Sequence, residues 1–276
     1  MKLHYERRPA AAPELVMIHG LTRRWQTFTP LLPSLASRYA LTLLDLPGHG
    51  ESPSNPKGYR VLQHAQAVLD WIDQFAVERF DLYGHSLGAM VALAAAAQRP
   101  ERIARLILED PPFETMGSRM DQTIYMSHFS QVHAMRNRDD FMRASRSEQV
   151  GMLGNIFLKD PLTGATQRLG DQRDLASLRF MAACMMKMDA TVVEPVVQLR
   201  WLEDWDWCHA AAEVEQPTLI LRADEKVGGM LTEQDCSRLC SLLKDPVPIF
   251  FANAGHNLHW LRSVDVAHSV HTFLDS

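Results

Sequence analysis

Apolar and polar positions fall into alternating blocks along the first 112 residues. Residues 14–19 (ELVMIH) form a short apolar run closed by Gly20 and read as a buried strand and turn. Between 27 and 38, Phe28, Leu31, Leu32 and Leu35 recur at helical spacing. Residues 40–46 read as a second buried strand, stopped by Pro47-Gly48. Residues 64–75 place Ala65, Val68, Leu69, Ile72 and Phe75 on one helical face. A third strand is expected at 79–83, an Ala-rich helix at 87–98 and a fourth strand at 103–109, stopped by Pro111-Pro112.

The alternation then breaks. Residues 113–212 carry helical patterns and no convincing strand. Strand signals return at 217–223 and 247–252, with helices at 232–243 and 264–274. Strands alternating with helices predict an α/β fold with a mostly parallel sheet joined by crossovers. An insertion of about 100 residues is too long for a loop. The expected arrangement is one core domain, 1–112 and 213–276, with 113–212 as a helical cap. The cap is expected over the sheet's C-terminal edge, where open α/β sheets bind ligands.

Composition adds mainly exclusions. Apolar residues make up 46% and charged residues 22%, an ordinary globular balance. A net charge of −5 gives no basic excess to suggest nucleic acid. Mean hydropathy is −0.17, and no apolar run approaches the roughly 18 residues of a membrane span. The first residues lack the apolar segment of a signal peptide, so a cytoplasmic protein is expected. Cys184, Cys208, Cys236 and Cys240 match no zinc spacing and read as reduced, mostly buried thiols. No metal is expected.

Chemistry enters with Gly84-His85-Ser86-Leu87-Gly88, a G-x-S-x-G sequence between a strand and a helix. A sharp strand-to-helix turn needs glycine at both flanks, where a Cβ would clash. It lifts the serine hydroxyl above the sheet, beside a helix N-terminus that favours negative charge. Ser86 is therefore the candidate nucleophile. Such a serine needs an imidazole base and an acid that orients it.

Four motifs together resemble the α/β-hydrolase superfamily, and the resemblance covers nearly the whole chain. They are His19-Gly20, Asp45-Leu46-Pro47-Gly48-His49-Gly50-Glu51-Ser52, the Ser86 turn and Ala254-Gly255-His256. The resemblance implies His256 as the base, in a loop after the 247–252 strand, with His259 the weaker choice. His19 and His49 are expected to shape loops. His85 is expected to pack, or to line the substrate site. In most of the superfamily the acid falls some four or five residues past the arginine matching Arg222, where this chain has Lys226 and Val227. Asp224 and Glu225 lie closer to the strand end. Some lactonases and dehalogenases take the acid after the strand that follows the nucleophile helix. Asp110 stands there and is the preferred acid, with Asp224 the alternative and Glu109 or Glu225 behind them.

Backbone N–H groups of Leu87 and Leu21 are expected to form the oxyanion hole, with Thr22 as a neighbouring choice. Ten of the 14 methionines lie in the cap. Met181, Met185 and Met188, beside Met186, suggest either an apolar pocket lining or packing within the cap. Trp205 is a candidate pocket residue, while Trp201 and Trp207 could clamp cap to sheet. Arg23 and Arg24 flank the oxyanion loop and read as solvated, or as holding a substrate carboxylate. The resulting expectation is a cofactor-free serine esterase or lactonase of a hydrophobic small molecule, monomeric or homodimeric. The same fold would also serve a carbon–carbon bond hydrolase, a cofactor-independent dioxygenase or a ligand receptor.

Overall fold

The computed structural model describes all 276 residues. In chain order the strands are β1 (Tyr5–Arg8), β2 (Glu14–Ile18), β3 (Ala40–Leu44), β4 (Phe80–His85), β5 (Ile103–Glu109), β6 (Phe157–Lys159), β7 (Thr166–Arg168), β8 (Thr218–Ala223) and β9 (Pro246–Phe251). Seven of them form one sheet in the order β1-β3-β2-β4-β5-β8-β9. All pairs in it are parallel except β1 with β3. The central strands are mostly apolar because both faces are covered. Alternate residues feed two cores. Val16, Ile18, Leu82, Leu106, Leu108 and Ile220 enter one. Met17, Leu43, Tyr83, Ile107, Leu219 and Leu221 enter the other.

The helix Leu87–Gln98 is buried on every side over its first ten residues. Its alanines let it lie close against the sheet, between the helices Val61–Gln74 and Trp207–Ala212. Segments after β5 join the same core, including Phe113, Met116 and Met120. No helix is long and apolar enough to cross a membrane.

Four features differ from the expectation. Strand β1 is an addition; its sequence, YERR, is mostly exposed and charged, as suits a sheet edge. The single helix expected at 27–38 is instead a 3₁₀ turn, Trp25–Phe28, and a short helix, Leu32–Leu35. Pro30 and Pro33 each lack the N–H that a continuous helix would use. The segment expected to be purely helical carries the antiparallel hairpin β6–β7. Lastly, Trp207–Ala212 packs on Leu87–Gln98 and Glu233–Leu242, so it belongs to the helix layer beside the sheet.

Candidate active site

Ser86 follows β4 with φ 55° and ψ −121°, a conformation that costs a non-glycine residue energy. Its surroundings enforce it. A Cβ on Gly84 would collide with the Gly88 carbonyl, and one on Gly88 with the Ile18 carbonyl. The Ser86 N–H donates to the Glu109 carbonyl at 2.9 Å, which ties the turn to the end of β5.

The β4–β5 register pairs His85 with Glu109. Ser86 and Asp110 therefore lie one residue beyond, at the C-terminal ends of neighbouring strands. Asp110 also has positive φ, 45°, and is fully buried. Its Oδ1 accepts N–H bonds from Ala223 and Leu231, each 3.1 Å, and its Oδ2 accepts one from Met230 at 2.8 Å. Oδ2 also meets His256 Nδ1 at 2.7 Å. An ionised carboxylate only accepts, so Nδ1 carries the proton and Nε2 is left with its lone pair. The His256 backbone N–H is anchored on the Gly228 carbonyl at 3.2 Å.

The other acids stand elsewhere. Asp224 does not bond His256. Its carboxylate accepts backbone N–H bonds from Lys226 and Asn253, each 3.0 Å, and so pins the turns on which His256 is carried. Those bonds, first that from Asn253, lower its pKa. Glu225 is exposed. Glu109 is fully buried and pairs with His259, accepting from its Nδ1 at 2.8 Å and from its backbone N–H at 3.0 Å. Tyr83 donates its hydroxyl to the other carboxylate oxygen. His259 Nε2 meets Thr27 Oγ1 at 2.9 Å.

Burial alone would raise the Glu109 pKa, but His259, His85 and Tyr83 hold it at about 2. Replacing Glu109 by Ala strips the Tyr83 hydroxyl of its hydrogen-bond partner and leaves His259 with Thr27 alone, in a dry interior. The expected cost is about 3–5 kcal/mol of stability, measured by urea unfolding near neutral pH. A loss below about 1 kcal/mol would contradict this account of the network.

His85 is 1% exposed, which corrects its expected place on a substrate-facing wall. Its ring packs between those of His256 and His259, with centroids 4.7 and 4.6 Å away. Its Nε2 lies 3.1 Å from the His256 carbonyl, so it supports that loop from beneath. His85, Glu109 and His259 also offer nitrogen and oxygen atoms within 4.8 Å of one another. Both Glu109 oxygens are already occupied by the hydrogen bonds just described, so the cluster reads as a polar network rather than a metal centre.

Two buried histidines shape the loop after β2. His19 Nδ1 meets the Gly20 carbonyl at 2.8 Å, while its Nε2 accepts from the Leu46 N–H at 3.0 Å. His49 Nδ1 meets the Pro47 carbonyl at 3.0 Å, and its Nε2 accepts from the Thr22 N–H at 3.2 Å. Burial holds both imidazoles neutral, at about 3. The Thr22 N–H is thus committed to His49, whereas that of Leu21 makes no hydrogen bond. The Leu87 N–H is the first of its helix and has no intrahelical acceptor. A Cβ on Gly20 would come within 2.9 Å of the Ser86 Cβ, so glycine lets this loop approach the serine.

Three of the cap methionines weighed as a pocket lining are core residues. Met185 is 0% exposed and belongs to the main core, which corrects its expected role as a pocket residue. Met181 and Met188 are buried with it. Trp205 is partly buried on the same core, and no hydrogen bond or ring contact ties it to Ser86, Asp110 or His256. Trp201 and Trp207 donate their indole N–H groups to the Met116 carbonyl and to Glu114, binding this segment to the chain leaving β5. The residue that sequence reasoning missed is Tyr125, on the helix Ile124–Arg136. Its hydroxyl donates to the Gly228 carbonyl at 2.8 Å, the carbonyl that also accepts the His256 N–H.

Comparisons with known proteins agree with this architecture. N-formylmaleamate deformylase of Pseudomonas putida is 25% identical over 264 residues, 94% of this chain and 88% of that protein. Other curated relatives match over a shorter stretch: the chain spans 29% of the length of an uncharacterised Mycobacterium tuberculosis protein and 30% of an acetyltransferase component from Cupriavidus necator. Among solved structures, E-2-(acetamidomethylene)succinate hydrolase superposes with a TM-score of 0.76 at 19% identity, covering 99% of this chain and 95% of that one. The enol-lactonase of Burkholderia xenovorans gives 0.71 at 18% identity, covering 99% and 96%. A family model described as alpha/beta hydrolase fold matches residues 13–263, so the chain belongs to the α/β-hydrolase fold family.

Proposed function

We propose that the chain is a serine hydrolase that cleaves an ester or lactone of a small molecule through an acyl-enzyme. The observation that carries this reading is the 2.7 Å contact between Asp110 and His256, with Asp110 beside the strained Ser86 turn. In the first half-reaction Ser86 Oγ attacks the acyl carbon and its proton passes to His256 Nε2. The oxyanion develops against the free N–H groups of Leu21 and Leu87. The C–O bond then breaks, and His256 returns the proton to the leaving alkoxide. In the second half-reaction water gives a proton to His256 as its oxygen attacks the acyl carbon, the bond from that carbon to Ser86 Oγ breaks, and His256 returns the proton to Ser86 Oγ. Atoms and charge balance with water as the only co-reactant. Asp110 fixes the ring and balances the charge on His256 in each transition state.

A second reading is favoured by one specific relative. The deformylase similarity spans 94% of the chain, and the same steps would break the C–N bond of an acyl amide. Labelling with a fluorophosphonate tests the shared nucleophile. Wild-type protein is expected to be labelled at Ser86, and Ser86→Ala to lose both labelling and hydrolysis across an ester, lactone and formamide panel. A loss of about 10⁶-fold in kcat is the scale for removing such a serine. Equal labelling of wild type and Ser86→Ala would overturn the assignment.

A further inference from the structure

His256 is held at three points. Its Nδ1 meets Asp110 Oδ2 at 2.7 Å, its carbonyl lies 3.1 Å from His85 Nε2, and its N–H donates to the Gly228 carbonyl at 3.2 Å. Asp110 and His85 are buried, so the core fixes the first two partners. Gly228 is different. It closes an exposed turn over residues 225–228, with φ 95°, a left-handed conformation that suits glycine. The turn also presses on the chain just before His256: a Cβ on Gly255 would come within 2.6 Å of the Val227 carbonyl. A shift of Gly228 therefore moves the backbone that carries the base.

The same segment also holds the acid. The N–H groups of Met230 and Leu231, two and three residues beyond Gly228, donate to the Asp110 carboxylate at 2.8 and 3.1 Å. Residues 228–231 thus grip His256 by one carbonyl and Asp110 by two N–H groups. From the helices between β5 and β8, a single hydrogen bond reaches this segment. It is the bond from the Tyr125 hydroxyl to the Gly228 carbonyl, at 2.8 Å. A carbonyl oxygen has two lone pairs, so it accepts from Tyr125 and from His256 together. Tyr125 is half-buried on the helix Ile124–Arg136, which anchors it, whereas Gly228 is exposed and has no side chain to hold it in place. The phenol therefore supplies the support that the turn lacks.

We propose that Tyr125 is a positioning residue, which seats Gly228 and thereby sets where His256 presents Nε2 to Ser86. This rests on the hydrolase reading above. Proton transfer depends steeply on the placement of the base, so a small drift of the His256 backbone costs rate without unfolding the protein.

Tyr125→Phe tests this, because it removes the hydroxyl and keeps the ring. Tyr39→Phe is the control. It removes a hydroxyl that meets His271 at 3.4 Å just before β3 begins, at the opposite end of the sheet from Ser86. Circular dichroism confirms that each variant is folded. Fluorophosphonate labelling is followed over a range of reagent concentrations. Tyr125→Phe is expected to lower the maximal labelling rate about five-fold, the scale of one hydrogen bond, while the half-saturating concentration stays within about two-fold. A second measurement needs no reaction. Hydrogen exchange at the His256 amide, resolved by NMR, is expected to quicken about five-fold in Tyr125→Phe. Tyr39→Phe is expected to change neither. Wild-type labelling rate and His256 exchange in Tyr125→Phe, whatever its Tm, would overturn the proposal. So would a raised half-saturating concentration at an unchanged maximal rate, which would make Tyr125 a contact of the reagent. Faster His256 exchange in a protein whose wild type is never labelled would keep the Tyr125–Gly228–His256 coupling and sink the hydrolase reading.

Discussion

Replacing Asp110 by Asn is expected to lower kcat about 10⁴-fold, the scale seen when the orienting acid of a serine–histidine pair is neutralised. An amide can present its NH₂ to His256 Nδ1, which then keeps its lone pair there and puts the proton on Nε2, where the serine needs an acceptor. The loss is one of tautomer more than of shape. Asp110 also accepts three backbone N–H bonds, so the variant must be shown to be folded before the rate is read. Asp224→Asn is the control. Its carboxylate bonds only to loop backbone, and its effect on kcat is expected to stay below ten-fold. A collapse of activity in Asp224→Asn with Asp110→Asn near wild type would reverse the assignment.

What made Asp110 legible was its place relative to the strands. A residue at the tip of the strand after the nucleophile helix must lie beside the nucleophile if the two strands are parallel neighbours, and they are. Ser86 was legible because its turn tolerates only glycine at 84 and 88, which leaves a mark in the sequence. Strain at the Ser86 turn therefore made this part of the candidate site readable.

The cap left no such mark. Tyr125 comes from the helix Ile124–Arg136, and nothing in local periodicity says which of its residues will reach the loop that carries His256. The hairpin β6–β7 was missed for a related reason: each strand has three residues and five of the six side chains are exposed, so no apolar alternation announces it. The cap methionines allowed either a pocket lining or packing, because abundance does not say which way a side chain faces; Met185 is in the core. Glu109 and His259 were each weighed separately, as an acid and as a base. In the fold they satisfy one another, which a one-residue-at-a-time reading could not show.

Below pH 6.5 the protein is expected to lose stability steeply, because it holds neutral imidazoles where no proton can be accommodated. His19, His49 and His64 are 0% exposed and His85 is 1% exposed. Burial lowers His19 and His49 to about 3 and carries His64 and His85 well below the ordinary value. The unfolded chain titrates these groups near 6.5, so as pH falls through that value it takes up protons that the native state refuses. Stability is present above 6.5 and is lost progressively from there down toward 3. Each imidazole contributes about 1.4 kcal/mol per pH unit in that window, so four amount to about 6 kcal/mol at pH 5.5. That rivals the whole stability of many domains. Glu109, with its pKa held down, adds loss only below the ordinary carboxylate range. Urea midpoints measured from pH 8 to 5 check the slope, and a flat profile between 7 and 5 would contradict it. His64 gives the sharper test, because neither ring nitrogen has a partner and its neighbours include the Tyr59 and His49 rings. His64→Phe keeps an aromatic ring while removing two unpaired polar atoms and one titrating site. It is expected to raise stability most at acid pH and to reduce the proton uptake on unfolding by about one.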